Sequence, residues 1–116
     1  MIKSDEIHIS SKDPKKLALF YRDVLGWTMT GDSPDFDSVC FEGHGNNPTV
    51  WIWDERKHGK KNSGAVHFMY DCLDPDMMYQ NLVQKGAELD PPKVVSWSGK
   101  GIHVIDPDGN RILMLQ

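Results

Sequence analysis

The sequence predicts an α+β fold made of two βαβββ modules. Three observations carry that prediction. The chain says nearly the same thing twice: Glu6-Ile7-His8-Ile9 leading to Asp13-Pro14 recurs as His67-Phe68-Met69-Tyr70 leading to Asp74-Pro75, both at an offset of 61 residues. A unit this long, found only twice, suggests two similar halves rather than a solenoid array. Each half also opens with a two-residue alternation and then changes to a helical period. The rest of each half consists of short β-rich runs divided by Gly, Pro, Asn and Asp clusters. At 116 residues the chain has the size of one compact domain. Module 1 is expected at residues 1–56, a linker at 57–64 and module 2 at 65–116.

The elements follow in order. Ile7, Ile9 and Ser11 alternate with Glu6, His8 and Ser10, which predicts a first strand whose faces see different surroundings. Asp13 is an N-cap with Pro14 at N1, where a missing N–H costs nothing. Leu17, Phe20, Tyr21, Val24 and Leu25 then form one helical stripe, which Gly26 ends. Strands are expected at Trp27–Thr30, Ser38–Glu42 and Thr49–Asp54, divided by turn-rich segments at 31–35 and 43–48. The charged stretch Glu55–Gly64 reads as the connection between halves. In the second half the order repeats: a strand over Val66–Asp71, then a helix capped by Asp74-Pro75 that buries Met78, Tyr79 and Leu82 and stops at Gly86. Strands follow at Glu88–Val95, Gly101–Ile105 and Arg111–Leu115. Pro91-Pro92 marks the first of these as a sheet edge, and Asp108-Gly109 supplies the positive φ of the last hairpin turn. Each half makes a curved sheet with a helix on its outer face, so the inner faces must be covered by each other.

Composition argues against several main partners, though a local basic patch stands at His58-Gly59-Lys60-Lys61. A net charge of −4 argues against nucleic acid or an anionic membrane, both of which need a basic field. No run approaches the ~20 apolar residues of a membrane span, and the first residues lack a signal-peptide core. Cys40 and Cys72 stand alone, without CxxC spacing, as reduced thiols in a cytoplasmic protein would.

Two motifs sit in this plan: Phe20-Tyr21-Arg22-Asp23-Val24-Leu25-Gly26-Trp27 and Asp106-Pro107-Asp108-Gly109-Asn110-Arg111-Ile112. With the repeat, they make the chain resemble the vicinal oxygen chelate superfamily, which groups glyoxalase I, fosfomycin-resistance transferases, extradiol dioxygenases and bleomycin-binding proteins. The resemblance covers essentially the whole chain. It implies a half-open barrel of the glyoxalase/bleomycin-resistance type. It also implies a homodimer, with modules paired within one chain or exchanged between two. Metal-dependent members hold a divalent ion with histidines and carboxylates from four inner strands. Counting from the helix caps and the last turn, those positions fall on Glu6, Trp51, His67 and Leu113. Trp51 and Leu113 offer a metal no lone pair. The usual metal site is therefore expected to be lost, with no cofactor required.

Strand alternation adds His8, Trp53, Met69, Asp71 and His103 to the same face, giving apolar walls with a few convergent polar groups. Trp51 and Trp53 stand at i and i+2, so both rings point one way and can sandwich a planar or cationic ligand; core or dimer packing is the alternative. Trp97, on a Ser/Gly loop, is expected either as a flap over the cleft or as an exposed aromatic that covers a partner. The histidines admit three readings: a shifted metal site from Glu6, His8, His67 and His103; acid–base catalysis by His67 and Glu6; or hydrogen-bonded residues of a wet cleft. His44 and His58 are expected to be solvent-exposed in loops. The leading expectation is a small-molecule-binding protein that takes an aromatic or cationic compound between Trp51, Trp53 and Trp97, with Glu6 and Asp71 balancing charge. The alternatives are a glyoxalase-like lyase or isomerase using His67 and Glu6, and a dimeric domain with a vestigial cleft.

Overall fold

The computed structural model describes residues 6–32, 36, 38–58, 61–95 and 99–116. Module 1 runs β1 (Glu6–Ser11), α1 (Pro14–Leu19) continuing into a π-helical turn (Phe20–Val24), β2 (Met29–Asp32), β3 (Ser38–Phe41) and β4 (Thr49–Asp54). A short α2 (Glu55–His58) leads into module 2: β5 (His67–Asp71), α3 (Pro75–Gln84), β6 (Lys93–Val94), β7 (Lys100–Ile105) and β8 (Arg111–Leu115). The βαβββ order therefore occurs twice. Each module makes a four-stranded mixed sheet, ordered β1-β4-β3-β2 and β5-β8-β7-β6, and the two sheets do not close into one full barrel. In each sheet the first and last strands of the module pair in parallel.

One face of each sheet is core. Ile9, Val39, Phe41, Val50 and Ile52 bury against Leu17, Ala18 and Tyr21, while Phe68, Ile102, Val104, Ile112 and Met114 share the core with Leu82 of α3. Each aliphatic side chain so buried contributes about 1.5–3 kcal/mol. The helices start where their caps dictate: Asp13 Oδ1 accepts from Lys16 N and Asp74 Oδ1 from Met77 N.

The first helix is not the single α-helix that its stripe predicts. After Leu19 the winding loosens, and Leu25 N donates to Phe20 O in an i→i−5 bond. Apolar periodicity does not separate the two windings, because Tyr21 and Leu25 are buried in either. Gly26 then turns the chain at φ 78°, and Trp27 N donates back to Tyr21 O. Trp27 is accordingly not a strand residue: its ring stacks on Tyr70 of module 2, centroids 4.2 Å apart at 20°, and β2 begins only at Met29. The expected strand over Glu88–Val95 shrinks to Lys93–Val94 because Pro91 and Pro92 lack ladder donors; it is the edge of its sheet, as the prolines predict. Trp97 lies outside the described residues.

The modules are joined away from their open faces. Tyr21 Oη donates to Asp106 Oδ2 at 2.7 Å, and Lys85 Nζ donates to the carbonyls of Asp23 and Val24. Asp71 N donates to Asn47 Oδ1 at 2.7 Å. No described helix is long and apolar enough to cross a membrane.

Candidate functional site

The open face of the first sheet carries a rack of aromatic rings. Parallel pairing sets His8 beside Trp51 and Ser10 beside Trp53, and antiparallel pairing sets Cys40 on the other side of Trp51. Trp51 Nε1 donates to Glu6 Oε1 at 3.2 Å, and Trp53 Nε1 donates to His8 Nδ1 at 3.1 Å. Indole N–H only donates, so His8 Nδ1 must present its lone pair and the neutral ring carries its proton on Nε2. Glu6 Oε2 lies 4.0 Å from that nitrogen, too far for a hydrogen bond. The rings are nearly parallel: Trp51 and Trp53 have centroids 5.4 Å apart at 15°, and His8 lies 6.5 Å from Trp51 at 4°.

That spacing changes what the tryptophans can do. A flat guest held between two rings needs their planes about 7 Å apart, twice the ~3.5 Å contact distance of carbon atoms. Trp51 and Trp53 stack on each other instead, so their outer faces, not a slot between them, are available. The outer side of Trp53 borders a depression of about 320 Å³ lined by His8, Ser10, Trp53, His58 and Asn62. His58, exposed but helical rather than in a loop, stands 5.1 Å from Trp53 at 65°. Asn62 straps the linker to β1: its Oδ1 accepts from Ser10 N and Ser10 Oγ, its N donates to Ser10 Oγ, and its Nδ2 donates to His8 O. Neither Asn62 nor the role of His58 is visible in the sequence, because the Ser10–Asn62 contact spans 52 residues.

The remaining expected residues share the open face of the second sheet. Register aligns His67 with Arg111, Met69 with Leu113 and Asp71 with Leu115, and His103 with Leu113. Met69 is 62% and Ile105 60% exposed. A depression of about 290 Å³ over this face is lined by His67, Phe68, Met69, His103, Arg111 and Leu113. Strand alternation alone predicts one cleft for all these residues. Within one chain the structure instead gathers Glu6, His8, Trp51 and Trp53 on one sheet, and His67, Met69, Asp71, His103 and Leu113 on the other. Asp71 accordingly does not share the tryptophan cluster with Glu6.

The Glyoxalase/Bleomycin resistance protein/Dioxygenase superfamily pattern matches residues 3–114. The chain belongs to that superfamily. Among curated proteins no sequence relative matches. Solved structures of similar fold include TnmS3, an antibiotic binding protein from Streptomyces sp. CB03234, at 21% identity and TM-score 0.80, covering 100% of this chain and 96% of that one. A lactoylglutathione lyase from Agrobacterium tumefaciens aligns at 17% identity and TM-score 0.78, over 99% of this chain and 93% of the other. A superfamily member from Sphaerobacter thermophilus aligns at 23% identity and TM-score 0.77, over 99% and 97%. At these identities the likeness is one of fold.

Two of the four ligand positions that the resemblance implies hold no metal donor: Trp51 and Leu113 stand there without a lone pair to give. Among the described residues no three His, Cys, Asp or Glu side chains come together as a metal site.

Proposed function

We propose that this superfamily member is a metal-independent small-molecule-binding protein. Its ligand is an aromatic or cationic compound that stacks on the Trp51/Trp53 rack. The observation that carries the reading is the rack itself: parallel rings on an open sheet face, with both indole N–H groups pinned at their edges by Glu6 and His8. Pinning pre-pays the ordering of two large side chains, which otherwise weakens binding.

In the same proposal, a second copy of the chain completes the cleft. Its apolar second-sheet face, with Met69, Leu113, Leu115 and Ile105, lies over the aromatic first-sheet face in a homodimer with two equivalent sites. Exposed apolar side chains on an open sheet face support a partner of this kind. The free thiols at Cys40 and Cys72 suit a cytoplasmic setting. Lyase or isomerase chemistry by Glu6 and His67 draws no support from within one chain, since the two stand on separate sheets.

Tryptophan fluorescence titrated with flat aromatic compounds tests the reading. Binding is expected to quench emission, and Trp53→Ala to weaken it about tenfold, the equivalent of ~1.4 kcal/mol of stacking. A stoichiometric divalent metal in the purified protein, lost on His67→Ala, would overturn it.

A further inference from the structure

We propose that the depression over the outer side of Trp53 selects flat aromatic rings that carry an sp² oxygen, a carboxylate or a carbonyl, over aromatic cations. The inference rests on the ring-stacking reading above and supplies its ligand class. It departs from the charge-based expectation, in which Glu6 and Asp71 together favour a cation.

Five described residues line the depression: His8, Ser10, Trp53, His58 and Asn62. Most acceptors there are already filled. His8 Nδ1 receives the Trp53 N–H. Asn62 Oδ1 receives both Ser10 N and Ser10 Oγ, and Ser10 Oγ itself receives Asn62 N. The acceptors left over are one Ser10 lone pair and one nitrogen of a neutral His58. The donors left over are more numerous. They are the His8 Nε2–H, the second N–H of Asn62 Nδ2, and the N–H that a neutral imidazole always keeps on His58. The His58 ring forms no hydrogen bond among the described residues.

Charge points the same way. Among the described residues no carboxylate lines the depression. Glu6, on the same strand, has Oε1 occupied by Trp51 and Oε2 4.0 Å from His8 Nε2 at the rim, and Asp71 belongs to the second sheet of the same chain. A cationic ring would find the Trp53 π face but no carboxylate among the described lining residues to pair with. A ring lying on Trp53 also strips water from the N–H groups around it, and a donor left without a partner is penalised more than a made bond is rewarded. A guest with an oxygen in its plane answers those donors, whereas an ammonium repeats them.

The test uses three probes with one ring: 2-naphthoate, methyl 2-naphthyl ketone and (2-naphthyl)methylammonium. Each is titrated calorimetrically into the full chain. Naphthoate and ketone are expected to bind at least about tenfold more tightly than the ammonium, the equivalent of one hydrogen bond gained. His58→Ala, on the exposed face of a short helix, should weaken the two oxygen probes several-fold and leave the ammonium unchanged. Naphthoate well ahead of the ketone identifies an anionic ligand; equal affinities identify the carbonyl oxygen as sufficient. An ammonium that binds as tightly as the others overturns the ligand class alone, as does a His58→Ala variant that binds all three like the parent. Failure of all three probes to bind overturns the stacking reading as well.

Discussion

The Tyr21 hydroxyl crosses from the first module to the Asp106 carboxylate in a fully buried position. Burial, reinforced by that carboxylate, pushes the phenol well above its ordinary pKa, so it stays a donor wherever the protein is folded. Asp106 meanwhile accepts from Asp108 N, Asn110 N and Asn110 Nδ2. Tyr21→Phe is expected to cost about 1.5–3 kcal/mol in urea unfolding, the worth of a hydrogen bond to a charged group; a loss under about 0.5 kcal/mol would show that the bond does not hold the modules together. In the sequence, Asp106-Pro107-Asp108-Gly109-Asn110 is legible as a turn because its signals are local. Its second task, receiving Tyr21, is not legible, because the partner lies 85 residues away. Trp51 and Trp53 show the same division. Their i, i+2 spacing fixes a shared direction, but the 5.4 Å stacking that closes the slot between them depends on Glu6 and His8 from the neighbouring strand.

At the scale of elements, both long helices begin where Asp13 and Asp74 predict, since an N-cap acts within three residues. The π turn and α2 were hidden. The first leaves the apolar stripe unchanged, and the second is held by a contact that composition does not reveal. Arg56 hydrogen-bonds Asp54 from its backbone and its guanidinium, and this pairing, outweighing burial, holds the Asp54 carboxyl at a pKa of about 2. The unfolded value is about 3.9. A depressed folded pKa gives stability that is fully present above the unfolded value and is lost as pH falls through the folded one. Arg56→Ala should therefore lower the melting temperature above about pH 4, and the gap from the parent should close as pH approaches 2. A gap that stays constant across that window would assign the loss to packing instead.

At the scale of the whole molecule, the repeat makes the two modules and their inner faces legible, but not what each face meets. Pattern within a module fixes which side chains alternate inward. Whether the halves cover each other depends on how they dock, and docking uses Trp27 on Tyr70 and Tyr21 on Asp106, contacts that bypass both inner faces. If the second-sheet face covers the first-sheet face of another copy, Met69→Asp should shift the protein from dimer to monomer in light scattering and abolish ligand quenching with it. A Met69→Asp protein that remains dimeric would move the interface elsewhere.

The Asn62 strap has a consequence beyond the site it borders. β1 is the outermost strand of its sheet, and such strands are templates onto which foreign chains polymerise. By occupying the His8 carbonyl and the Ser10 amide, one side-chain amide stands in for a fifth strand and ends the four-stranded sheet. Removing it with Asn62→Ala should leave the fold intact at first but expose a growing point. Concentrated solutions would then thicken over days into thioflavin-positive fibrils, while the parent stays clear.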